Sequence, residues 1–193
     1  MQESVLQGCG DAGAACWGGG VLKMIDCSIS ESRGVGLTTS GTGSIASMER
    51  CKVKNNKGEA GVKASHRGTV DITYSRIEGN KCSGIAASNK GTKVTAANCE
   101  IVDQYGEALD GSGLSTTAGV KVFDGASAEI SRCTINQNHC AGVCAAGPST
   151  SVVVTDDTEL MYNDKGVWGF DGAAVEAGGI KCRNNREAQI SVS

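Results

Sequence analysis

The sequence predicts an all-β solenoid, in which short strands are wound into coils and like strands stack into parallel sheets. Three observations carry that expectation. A pattern recurs about every 24 residues along nearly all of the 193-residue chain. Inside each repeat, apolar and polar residues alternate with a period of two, as half-buried strands require. Composition agrees, with 28 Gly against one Pro and only 4% aromatic residues. Tight turns between short strands use glycine in this way, and a helical core does not.

The repeat is clearest at one aliphatic position, occupied by Leu6, Ile29, Val53, Ile77, Ile101, Ile135, Leu160 and, more weakly, Cys182. Successive spacings are 23, 24, 24, 24, 34, 25 and 22 residues. Self-similarity in this range marks a solenoid, propeller or array. Two residues earlier stand Cys27, Cys51, Ser75, Cys99, Cys133 and Thr158. Three residues later stand Ser32, Asn56, Asn80, Gln104, Asn138, Asn163 and Asn185. A Gly-aliphatic pair follows, from Gly36-Leu37 to Gly166-Val167, and in the last coil Gln189-Ile190 departs from Gly.

Each element then has a reason. The first strand of a coil carries the small residue and the aliphatic inward, as Cys99 and Ile101 do with Glu100 opposite. The turn after it carries Asn, which tolerates left-handed backbone and can bond a neighbouring amide. Glycine eases the bend into the second strand. That strand alternates again: "AGVKVF" places Val120 and Val122 inward, Lys121 and Phe123 outward. The third strand, as in "KVTAA", sends Val94 and Ala96 to one side and Thr95 to the other. Stacked copies lie about 4.8 Å apart, so seven intervals give a rod about 34 Å long. Inward cysteine is a small, readily buried hydrophobe suited to a narrow interior.

The resulting pattern, x-C-x-I-x-x-N followed by G-[VIL], resembles the repeats of the right-handed parallel β-helix superfamily over about residues 5 to 192. That superfamily includes pectate lyases, polygalacturonases and β-helix regions of some F-box ubiquitin-ligase subunits. The resemblance implies an all-β, right-handed, single-stranded parallel β-helix of about seven to eight coils, forming one domain over 1–193 with a loop insertion at about 105–117. It implies little about function, because this fold carries enzymes, binding modules and scaffolds. The long 34-residue interval places the insertion near "YGEALDGSGLSTT". Such a loop either carries function or is a tolerated lengthening.

Charge and cysteine usage narrow the classes. The net charge is −3 with no run of five like charges. No nucleic-acid partner and no polybasic membrane patch are expected. No apolar stretch approaches the roughly 20 residues of a membrane span. Ten cysteines in a chain of this length, without a signal-peptide pattern at "MQESVLQGCGDAG", suggest reduced thiols and an intracellular setting.

Chemical motifs are weak. "GCGDAG" (8–13) matches a dinucleotide fingerprint but opens into "AACWGGG", a poor helix, and the repeat explains Gly13. His139, Cys140 and Cys144 could suggest zinc but supply three ligands at most. A catalytic thiol needs a positioned base, and His66 lies far along the rod. No cofactor or metal is expected. The polygalacturonase signature is absent, and Asp156-Asp157 stands alone. Glu107, Asp110 and Asp124 near the long loop are the best carboxylate cluster for a glycosidase-like alternative.

The outward positions of the second strand say more. They read Thr38/Ser40, Lys63/Ser65, Ala86/Ser88, Lys121/Phe123, Cys144/Ala146 and Trp168/Phe170. The last three coils therefore present Phe123, Cys144, Trp168 and Phe170 on one face, a pattern expected of a binding patch. The expected function is a non-enzymatic scaffold or protein-interaction module. Other protein subunits are expected over that face, with the folded-back long loop or a glycan as the alternatives there, and over an end coil, since neither end carries a polar cap. The alternative is a carbohydrate-active β-helix enzyme or glycan-binding module.

Overall fold

The computed structural model describes residues 1–106 and 117–193. All regular structure in them is β. Three parallel sheets run the length of the rod. A short sheet stacks eight three-residue strands, from Val5–Gln7 to Lys181–Arg183. A long sheet stacks eight strands, mostly of six residues, from Ala12–Trp17 to Ala188–Val192. A third sheet of seven runs from Val21–Ile25 to Ala174–Ala177. Each strand pairs with its copy one coil on. Ile77, for example, lies between Val53 and Ile101, and Val120 between Ile85 and Val143. The expected three strands per coil and the register of the aliphatic positions are therefore present.

The interior is built from columns of like residues. Ile29, Val53, Ile77, Ile101, Ile135 and Leu160 are completely buried. So are Leu37, Val62, Ile85, Val120, Val143 and Val167 in the column from the long sheet. Each such side chain contributes about 1.5–3 kcal/mol by leaving water. The small positions Cys27, Cys51, Cys99 and Cys133 are buried as expected, 2–3% exposed. Their thiols donate to backbone carbonyls of the preceding strand, as Cys51 does to Glu49 and Cys99 to Ala97.

The amide column runs unbroken. Backbone N–H groups of Ser32, Asn56, Asn80, Gln104, Asn138 and Asn163 each donate to the side-chain oxygen of the next member, at 3.0–3.3 Å. Side-chain nitrogens of Asn80, Asn138 and Asn163 donate back to Val53, Ile101 and Ile135 carbonyls. Buried polar groups are thus paired along the axis, which is what lets them sit in an apolar core.

Two details differ from expectation. Left-handed backbone falls one residue before the ladder amide, at Glu31, Asn55, Asp103, Gln137, Tyr162 and Asn184, while the ladder residues themselves keep negative φ. The ladder amide is needed for its side-chain bonds, and its neighbour makes the bend. The glycines before the second strand are required for close approach. A Cβ on Gly119 would lie 2.7 Å from the Gly142 carbonyl and 2.6 Å from Ile135 Cγ2. No left-handed φ is involved there.

Candidate functional site

Among the described residues, two concave regions stand out on the rod. The first lies on the short sheet and measures about 560 Å³. It is built from residues just before the cysteine column: Arg50, Tyr74, Asn98 and Arg132 all have positive φ, which turns them outward at the corner. Lys52, Arg76 and Glu100 stand beside them on the strands, and Cys51 and Cys99 form the floor. Every cation there has a carboxylate of its own. Arg50 grips both oxygens of Asp26, at 2.8 and 2.9 Å, and touches Glu49. Lys52 reaches Glu78 at 3.0 Å, Arg76 pairs with Glu78 and Glu100, and Arg132 reaches Asp156 at 3.1 Å. The hydrogen bond from Arg50 holds the Asp26 carboxyl below its ordinary range, and the same bond raises the arginine. The hollow is a matched ionic surface with one exposed ring, Tyr74.

The second region lies on the outer face of the long sheet. Residues two apart on a strand share a face, and parallel pairing lines them up between coils. One column reads Trp17, Ser40, Ser65, Ser88, Phe123, Ala146, Phe170. Its neighbour reads Ala15, Thr38, Lys63, Ala86, Lys121, Cys144, Trp168. Phe123, Trp168 and Phe170 are half-buried on this face, and the structure brings them together as the sequence predicts. The Trp168 and Phe170 rings stack with centroids 4.4 Å apart. Lys165 Nζ sits over Trp168 at 4.5 Å, and Lys121 Nζ over Phe123 at 4.9 Å.

Cys144 departs from the solvent-facing expectation. It points away from the coil interior but is completely buried, in a second apolar cluster with Ala118, Cys140 and Ala141. Trp168 and Phe170 pack against that cluster. Cys144 is therefore floor beneath the aromatic face. Strand alternation fixes the side of the sheet a residue takes. It does not fix whether that side is covered.

The strands end in left-handed residues at Asp124, Gly147 and Asp171. In the middle coil the small pair Ala146-Gly147 leaves a notch of about 230 Å³. Phe123 and Asp124 wall it on one side, Phe170 and Asp171 on the other, and Lys121 and the buried Cys144 complete its lining. Among the described residues, neither Asp124 nor Asp171 forms an ion pair or side-chain hydrogen bond.

The other sequence candidates do not assemble. Burial pushes the Cys140 thiol up, which disfavours the thiolate needed for metal binding or attack. Its neighbour His139 is exposed. Among the described residues no group of three or more His, Cys, Asp or Glu could hold a metal ion. Asp156 and Asp157 are tied to Arg132 and Lys181. Glu107 and Asp110 lie outside the described residues, as does most of the 105–117 insertion. On the long sheet, two features were missed from sequence. Trp17 opens the aromatic column in the first coil and is 65% exposed. Asp124, grouped from sequence with Glu107 and Asp110, stands at the notch with Gly147 and Asp171, and it is this column, one residue past the outward positions that were followed, that the sequence reading did not find.

Comparison with solved structures places the fold among known β-helices. A periplasmic alginate epimerase, AlgG, superposes with a TM-score of 0.62 at 15% identity, covering 92% of this chain and 43% of that one. A pectate lyase, Pel9A, gives 0.54 at 12% identity, covering 94% and 55%. At such identities the likeness is one of fold alone, and the chain spans about half the length of either protein. No curated protein matches the sequence. The family described as "right handed beta helix region" matches residues 1–101, more than half of the chain. The chain belongs to the right-handed β-helix family.

Proposed function

We propose that this chain is a non-catalytic β-helix binding module, and that it engages a protein partner through the aromatic outer face of its last three coils. One observation carries the reading. Backbone, pairing and interior are the same from coil to coil, yet the outer face of the long sheet changes from Ser40, Ser65 and Ser88 to Phe123, Ala146 and Phe170. Nothing in the coil requires that change. Clustered, half-exposed aromatics at the centre of a patch are the usual anchors of a protein interface.

A second reading has its own support. Both named structural neighbours act on polysaccharides by their titles, and an aromatic wall with nearby carboxylates also suits a sugar ring. Two considerations weigh against it. An anionic chain would meet Asp124 and Asp171. No basic residue among the described ones stands at the notch except Lys121, which already lies over Phe123.

Photo-crosslinking separates the two. A benzoylphenylalanine at position 168 should give a discrete protein adduct in cells of the native source, and one at position 40, in an early coil, should not. Equal adducts from both positions would sink the interface reading. Saturable binding of neutral or uronate oligosaccharides, lost in Trp168→Ala, would replace it with the glycan reading.

A further inference from the structure

We infer that the notch over Ala146-Gly147 is a socket for an arginine side chain of the partner; this rests on the aromatic face being a protein-binding surface. Charge supplies the first argument. Among the described residues, two carboxylates and one ammonium line the notch, Asp124 and Asp171 against Lys121, a balance that favours an entering cation over an anion. Many carboxylates elsewhere in the rod are matched, Asp26 by Arg50, Glu78 by Lys52 and Arg76, Asp156 by Arg132 and Glu187 by Lys165, while single ones such as Asp11 and Asp103 stand without a cation among the described residues and without an aromatic wall beside them. Asp124 and Asp171 have no such partner among the described residues.

Shape supplies the second. Phe123 and Phe170 stand on strands two coils apart, with only Ala146 between them. Two coil spacings are about 9.6 Å. A cation at the level of the middle coil is about 4.8 Å along the rod from the strand that carries either ring, a spacing compatible with the roughly 6 Å reach of an aromatic quadrupole. The face already holds cations in this way, with Lys121 over Phe123 and Lys165 over Trp168.

Geometry selects arginine over lysine. A planar guanidinium can lie along a ring and still present its N–H fork to carboxylates at the rim, whereas an ammonium is a point charge that keeps its water more tightly. Asp124 and Asp171 flank Gly147 on successive copies of one turn, so both carboxylates stand at the same edge of the opening. The left-handed turn also makes them cheap to keep as Asp, which tolerates positive φ better than most residues.

The test uses small probes on the whole chain. Acetyl-arginine methylamide is titrated against acetyl-citrulline methylamide, which has the same shape without the charge. Trp168 fluorescence reports binding in a Trp17→Phe background. The arginine probe should bind and the citrulline probe should bind at least about five-fold more weakly, with added salt narrowing the gap. Asp124→Asn and Asp171→Asn should each weaken the arginine probe by about five-fold, the scale of one exposed charge pair. Ala146→Leu fills the notch from a half-exposed position and should abolish binding, with an unchanged melting curve as the folding control. Equal binding of the two probes, absence of a saturable signal, or full binding by Ala146→Leu would overturn the socket. The partner surface is separable: if the position-168 adduct persists in Asp124→Asn/Asp171→Asn, the socket fails and the face stands. If the arginine probe behaves as expected but no adduct forms, the face fails and the socket stands.

Discussion

The hollow on the short sheet and the notch on the long sheet make an instructive pair. The hollow is more than twice as large, about 560 against 230 Å³, and holds more charge. Size alone would make it the better site. Yet each of its cations is tied to a carboxylate of the same chain, mostly one coil away, and half-exposed pairs of this kind contribute little to stability. Such a surface has already satisfied its own field, and a charged ligand would have to displace partners to bind. In the notch, aromatic rings and small residues share a wall with two carboxylates that the described residues leave without a cation. What distinguishes the notch from the hollow is unmatched charge beside aromatic rings, more than depth.

Both regions rest on one interior, so the largest expected effect breaks them together. Asn138→Leu removes the acceptor for the Gln104 N–H and the donor to the Ile101 carbonyl, and it ends the side-chain bond to Asn163. Leaving buried groups unpaired costs about 1–3 kcal/mol each, so a loss of about 3–5 kcal/mol is expected. Urea unfolding measures it. A loss below about 1 kcal/mol would mean that the amide column is decorative.

That column was legible in the sequence, and so were the fold and its register. A ladder writes the same residue at the same interval, because each copy meets its own copy. Ile77 between Val53 and Ile101 is the direct image of a 24-residue spacing. The outward order Phe123, Ala146, Phe170 was legible for the same reason. Cys144 was placed on the correct side and wrongly left in water, since its burial depends on what covers the sheet and the period carries no record of that. The hollow was missed although its column, Asp26, Arg50, Tyr74, Asn98, Arg132, keeps step one residue before the cysteines. Its members share no chemistry, only a backbone conformation, and a search for like residues passes over them. Trp17 escaped because its coil has Gly13-Ala14 in place of glycine and a branched aliphatic.

Thiol chemistry sharpens the contrast between the floors. Cys51 and Cys99 underlie the hollow and Cys144 the notch, and all three are buried. Burial pushes the Cys51 thiol up, which slows alkylation beyond simple lack of access. Cys9 and Cys182 are the two thiols of intermediate exposure. In the folded chain at neutral pH, iodoacetamide should label Cys9 first and Cys182 more slowly, the latter's thiol also being raised by burial. The eight buried thiols should react only on unfolding, as peptide mass mapping would record. Early labelling of Cys144 would mean that the notch opens to its floor, and labelling of Cys51 would say the same of the hollow.

The smallest effect tests whether the matched hollow is structural ornament. Arg50 and Asp26 are exposed, so Arg50→Gln should shift the urea midpoint only slightly and leave the arginine probe at the notch unaffected. Its pH dependence is the informative part. The Asp26 carboxyl is held below its ordinary 3.8 by the hydrogen bond from Arg50, so the folded state takes up its proton later than the unfolded chain. The contribution is therefore fully present above the unfolded value and is lost as pH falls through the folded one. The gap between wild type and Arg50→Gln should be constant from about pH 7 to about pH 5 and should close in the acid range below the ordinary carboxylate value. A gap that persists undiminished after Asp26 has taken up its proton would show that Arg50 acts through packing of its stem, and that the matching of charges in the hollow does not explain its conformation.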